Sequence, residues 1–216
     1  MGKKFSEEAN KVLDEIISAR RTIRAFAEEA PPREAVELII KAGLQAPYAA
    51  LAVAGRDDFR KFFVFSRGTP ASAEAGRLIQ LAARRRLEEI MRAPGRAKVM
   101  GDRELPYVDR LRALAEHGHP SLKAAPYFIV VAEYQGIPAA GLQSLAHTLE
   151  NMWLKATALG LAFQLVSVTE SMAEDEAFVR LLGLPFGEYV LDGCAVGWPA
   201  AEPPAAKRPD NIVKWM

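Results

Sequence analysis

Apolar residues recur at helical spacing from the start of the chain. Val12, Leu13, Ile16 and Ile17 mark one face of a helix that Ser6 caps and that runs to about Arg20. Pro31 and Pro32 precede a second helix, Arg33 to about Gln45, with Val36, Leu38, Ile39 and Ala42 turned inward and Pro47 beyond its end. Lys61 to Ser66 is aromatic and β-branched, which predicts a strand. Leu78, Leu81, Leu87, Ile90 and Met91 form a stripe among charges and predict a helix over Arg77 to Arg92. A fourth helix spans Pro106 to Glu116, with Gly118 to close it. Tyr127 to Tyr134 is almost wholly apolar, as a central strand should be. Gly136 and Pro138 open a long helix that ends at Gly160, and Leu161 to Val168 is the next strand. A short helix, Ala173 to Leu182, exits at Gly183, and Tyr189 to Val196 is the last strand. From Trp198 the chain is rich in proline and alanine without a helical period, so an extended tail is expected. Strands separated by helices predict a layered α/β or α+β domain.

Composition narrows the classes. Half of the 216 residues are hydrophobic and a quarter are charged, enough for a sizeable core. A net charge of +1 speaks against nucleic-acid binding through bulk charge. Cys194 is the single cysteine, so no intramolecular disulfide forms, and a reducing cytoplasm is the expected compartment. The first residues lack the apolar core of a secretory signal. Leu142 to Val166 is strongly apolar, yet Glu150, Lys155 and Gly160 interrupt it, so it reads as a buried helix and a strand rather than a membrane span.

The most informative short run is Arg20-Arg21-Thr22-Ile23-Arg24-Ala25-Phe26, at a predicted helix end where Arg20 and Arg24 share a face. Guanidinium groups and a hydroxyl suit a phosphate. Cations also complement the dipole of any helix C-terminus, so the run alone leaves both readings open. Its surroundings decide between them. Ala46-Pro47 closes the second helix, and Ala125-Pro126-Tyr127-Phe128-Ile129-Val130-Val131 forms the central strand. Asn151-Met152-Trp153-Leu154-Lys155-Ala156 precedes Leu159-Gly160-Leu161, and Leu181-Leu182-Gly183-Leu184-Pro185 and Val196-Gly197-Trp198-Pro199 follow. In this order the motifs resemble the FMN-dependent nitroreductase family, over most of the chain except roughly residues 50 to 120.

The resemblance implies an α+β, nitroreductase-like fold: a central, mostly antiparallel sheet flanked by helices. It implies an interlocked homodimer with an extended C-terminal tail laid across the partner, and FMN at the dimer interface. By position, Arg20, Arg21, Thr22 and Arg24 would hold the phosphate and ribityl end, with Lys207 and Arg208 adding phosphate contacts. Ser167 and Val168 would offer backbone N–H groups near flavin N5, and Tyr48 would stack on the ring or line the substrate pocket. No side chain is expected to act as a nucleophile or to hold a metal, since the flavin carries the chemistry. NAD(P)H would be the co-substrate in a ping-pong cycle, and a nitroaromatic, quinone or enone the acceptor. Two departures stand out. The family's Ser-x-x-Asn-x-Gln-Pro-Trp, which cradles the ring, is replaced here by Tyr48-Ala49-Ala50-Leu51-Ala52-Val53-Ala54-Gly55. Glu150 stands where glutamine is usual, and a carboxylate buried there requires a partner such as arginine.

Residues 70 to 120 form a variable insertion in an otherwise single domain, and are expected to make a helical cap over the flavin that sets acceptor choice. Tyr107, His117 and His119 are its candidate acceptor contacts. Two rivals stay open: a flavin enzyme of divergent chemistry (dehalogenation, flavin cleavage), and a flavin-storing or ligand-sensing protein with little turnover.

Overall fold

The computed structural model describes residues 4–48, 57–92, 105–203 and 213–216. Helix α1 (Glu7–Ala19) starts where Ser6 accepts a hydrogen bond from the Ala9 N–H, and α2 (Arg33–Leu44) follows. Strand β1 (Arg60–Ser66) leads into α3 (Pro70–Arg92), then α4 (Leu105–His117) and the single turn α5 (Pro120–Ala124). Strand β2 (Tyr127–Tyr134) precedes the long α6 (Gly141–Ala158) and β3 (Ala162–Leu165). A 3-10 segment (Ser167–Glu174), α7 (Glu176–Leu181) and β4 (Tyr189–Gly197) complete the order.

The four strands form one antiparallel sheet in the order β1-β2-β4-β3, so Tyr127–Tyr134 is central as its composition requires. Ile129 and Val131 on β2 and Cys194 and Val196 on β4 point into a core with α2 and α6. Phe128, Val130, Leu191 and Ala195 point to the other side, against α3, α5, the 3-10 segment and α7. Both faces of β2 are therefore buried, which explains its near-continuous hydrophobicity. Helices α3 and α4 add a small core of their own around Ala83, Ile90, Val108, Leu111 and Ala115.

Several boundaries differ from expectation for local reasons. Helix α3 begins at Pro70, ahead of the expected Arg77, because Thr69 caps it through the Ser72 N–H and Pro70 takes the first helical position. Helix α6 starts at Gly141, and Gly136 and Pro138 fall in the loop before it. Strand β3 stops at Leu165, and the chain turns into the 3-10 segment through the Thr169 N–H to Val166 carbonyl bond. Leu38 and Met91 were expected inward and are 40% and 54% exposed. Each sits one or two positions off the stripe its helix buries, Val36/Ile39/Gly43 in α2 and Leu78/Ile79/Ala83/Ile90 in α3.

Candidate functional site

The arginine run does not continue α1. Arg20 ends the helix with φ −57° and ψ 126°, and the chain leaves extended. Arg20 and Arg24 therefore do not share a helical face, contrary to expectation; in an extended chain alternation governs, and Thr22 and Arg24 are both exposed. Main-chain bonds fix the run against the sheet. The Ile23 N–H donates to the Phe163 carbonyl (3.1 Å), the Ala27 N–H to Trp198 (2.9 Å) and the Ala200 N–H to Ala25 (3.1 Å). Phe26 bridges Pro199, and Gly197 leaves room for it: a Cβ there would sit 3.0 Å from the Phe26 ring and 2.6 Å from Pro126.

Its arginines divide into two kinds. Arg20 pairs with Glu150 at 3.0 Å and lies 4.4 Å from the centre of the Trp153 ring, a cation–π geometry. Trp153 in turn donates its indole N–H to the Arg21 carbonyl (3.2 Å) and stacks on Phe163. Glu150 is thus half exposed and answered by Arg20, rather than buried in its helix. Arg21 reaches the carbonyls of Ala19 and Pro203. The Thr22 and Arg24 side chains meet no hydrogen-bonding or charged partner among the described residues. Exposed donors that are unengaged and anchored by their backbone have the chemistry an anionic phosphate needs.

Four residues along from Phe163, Ser167 opens the 3-10 segment, with Val168 next. The first N–H groups of such a turn have no partner inside it. Ser167 is exposed and Val168 half-buried, so this end offers main-chain donors just beyond β3, the strand that anchors Ile23.

Tyr48 lies elsewhere. Its hydroxyl donates to the Tyr134 carbonyl (3.0 Å), and its ring packs on Phe59, 4.6 Å between centroids. Desolvation, reinforced by nearby Glu133, raises its pKa. Tyr134 is at the opposite end of β2 from Tyr127, the level at which Val196 and Phe163 pair. At ~3.3 Å per residue, Tyr48 is separated from the arginine run by about 20 Å of strand. One chain does not bring them together.

Sequence reasoning missed a buried charge centre beside Tyr48. Arg60 and Glu133 are register partners on β1 and β2, with 2% and 0% side-chain exposure, joined at 2.7 Å. The Arg60 guanidinium also donates to the carbonyls of Gly43, Ala46 and Pro47 and to the Ser144 hydroxyl. It closes the end of α2 and ties it to α6. The signal was an arginine opening an aromatic strand and a glutamate near the end of an apolar one, and only the strand register joins them.

Of the acceptor candidates, Tyr107 is 55% exposed and His117 is exposed on α4, 3.6 Å from Glu116. His119 is half-buried at the start of α5. Among the described residues, no side-chain contact joins the three into one cluster. Lys207 and Arg208 lie outside the described residues.

The antiparallel sheet between helical layers, with an arginine-rich run stitched to its edge, defines a layered α+β fold. The chain belongs to the nitroreductase family, whose model matches residues 17–198. Solved structures agree in fold. A nitroreductase with bound FMN from Bacteroides fragilis is 24% identical with a TM-score of 0.64, over 94% of each chain. An iodotyrosine deiodinase bound to FMN and 3-iodo-L-tyrosine is 21% identical with a TM-score of 0.68, over 94% of this chain and 98% of that one. A BluB-like flavoprotein from Clostridium difficile 630 is 21% identical with a TM-score of 0.67, over 94% and 99%. No curated protein sequence matches the chain.

Proposed function

We propose that the protein is an FMN-dependent oxidoreductase that takes electrons from NAD(P)H and passes them to a small conjugated acceptor. The observation that carries this reading is the arginine run itself: Thr22 and Arg24 present unengaged donors from a backbone fixed to β3 at Phe163, and the 3-10 segment with Ser167 and Val168 begins beyond the end of that strand. The donor set fits the phosphate and ring edge of FMN. When bound, FMN supplies the redox chemistry, and the protein supplies binding, orientation and exclusion of water. Arg24 and Thr22 hold the phosphate end, Arg20 is positioned by Glu150 and Trp153, and Lys207 and Arg208 add charge from the tail.

The working unit is a homodimer. Tyr48 and the arginine run are at opposite ends of one chain's sheet, so a site using both draws Tyr48 from the partner subunit. Helix α1 has no buried residue although Val12, Leu13 and Ile17 are apolar, which supports a second copy packed on it. The tail crosses the partner, and the helices of residues 70 to 120 cap the site. Tyr107, His117 and His119 are this cap's candidate acceptor contacts. No helix among the described residues is long and apolar enough to cross a membrane, and the reading places the dimer in the cytoplasm.

Steady-state NAD(P)H oxidation by the FMN-loaded protein, with nitroaromatic, quinone and enone acceptors, tests the reading. Turnover that depends on the acceptor supports it. The lost Asn, Gln and Trp of the ring cradle favour the second reading, a flavin-holding protein; bound FMN without turnover on any acceptor would select it.

A further inference from the structure

A cleft of about 610 Å³ opens between the first half of α3 and the turn from α4 into α5. Arg67, Gly76, Gln80, His119, Leu122 and Lys123 are among its lining residues, whereas Arg20, Thr22, Arg24, Tyr48, Ser167 and Val168 are not. Its volume falls in the range of small-molecule sites.

Its charge is one-sided. Among the described residues, no aspartate or glutamate lines it. Arg67 donates to the carbonyls of Ala124 and Glu28, and Lys123 donates to the carbonyl of His117. Neither meets a carboxylate among the described residues, and carbonyls orient a cation without neutralising it. Arg77, at the rim, is different because Glu74 pairs with it. Pro70, Ala73 and Leu122 supply apolar surface to its lining.

One further feature opens on the cleft. Gly76 lies inside α3, where glycine costs roughly 0.5–1 kcal/mol relative to alanine. A Cβ at Gly76 would meet nothing within 4 Å, so no close packing demands the glycine; its lack of a side chain keeps the cleft open. The His119 Nδ1 is closed to solvent and has no hydrogen-bond partner among the described residues, so it is not open to the cleft. Burial also lowers the His119 pKa.

We propose that this cleft is a ligand site separate from the flavin site, and that it takes a small organic carboxylate with an apolar body. The carboxylate sits against Arg67 and Lys123, and the body sits against Ala73, Gly76 and Leu122. The inference stands on the cleft alone and does not depend on the redox reading.

Benzoate and its neutral analogue benzamide test it, titrated into the purified full-length protein with its flavin content as isolated and followed by calorimetry and NMR. The expected result is saturable benzoate binding at concentrations up to about 10 mM, with benzamide at least about tenfold weaker. Gly76→Leu fills the cleft from a helical position with open space around it, so the fold survives, as an unchanged or raised Tm will confirm, and benzoate binding is lost. Lys123→Ala weakens benzoate by about tenfold and leaves benzamide unchanged. The proposal is overturned if benzoate does not bind, if benzamide binds equally well, or if binding survives Gly76→Leu in the folded protein. It is also overturned if benzoate acts only by shifting the flavin spectrum or displacing FMN, which would put it in the flavin groove.

Discussion

Arg60 shows how one side chain organises a region that carries no recognisable motif. Its guanidinium meets Glu133, three main-chain carbonyls and Ser144 in a place closed to solvent. Removing one member of a buried pair strands the other charge, a loss of roughly 3–5 kcal/mol. Arg60→Met should lower stability by that amount in chemical denaturation, with a smaller loss for the double variant Arg60→Met with Glu133→Gln. Equal losses would show that the charge pairing is not what matters. Asp192 carries a second prediction. Desolvation raises its pKa to about 6, opposed by the Gly193 N–H and reinforced by Glu170. The folded state then holds the proton more tightly than the unfolded chain, so this group's contribution to stability is present below the ordinary carboxylate pKa and is lost as pH rises through about 6. Asp192→Asn should therefore stabilise the protein at pH 7.5 by on the order of 2 kcal/mol and do little at pH 4. A stability difference that is the same at both values would contradict the shift.

Among the elements, α1 is the clearest case of a helix that one chain does not explain. Ser6 caps it and its apolar face is regular, yet Val12, Leu13 and Ile17 are 45%, 49% and 44% exposed. Ile17→Glu should convert a dimer to monomer in sedimentation at micromolar concentration without loss of helical signal. A wild-type monomer at that concentration, or a variant that stays dimeric, would refute this use of the helix. The elements also show what a sequence displays and what it hides. Ser6, Gly118 and Gly183 mark ends by local chemistry, and each end is where local chemistry places it. The start of α3 and the end of β3 depend on Thr69 and on the Thr169 N–H to Val166 carbonyl bond, and an apolar stripe carries no trace of either. The arginine run was visible as chemistry but not as conformation. Its extended path is set by Phe163 and Trp198, which are more than 130 residues away in sequence.

At the scale of the whole molecule, the sheet separates the two regions that the family resemblance assigns to one cofactor. The phosphate-type donors lie at the Phe163 end, and Tyr48 with the Arg60 centre lies at the Tyr134 end. Periodicity and motif order were enough to identify the fold, because most of its contacts follow from two amphipathic layers on an apolar central strand. They were not enough to reveal that separation, which is a property of strand register, nor the Arg60–Glu133 pair that depends on it. The central claim is that this chain holds FMN through Arg24 and its neighbours. The most direct measurement is the absorbance spectrum of the purified protein with mass identification of the released cofactor, repeated for Arg24→Ala and Lys207→Ala. The account predicts a flavin spectrum and FMN nearly equimolar with the chain after reconstitution. It also predicts weaker FMN binding in Arg24→Ala, by about 1.5–3 kcal/mol, and a smaller loss in Lys207→Ala. A protein that takes up no FMN, or one whose FMN affinity is unmoved by Arg24→Ala, would contradict it.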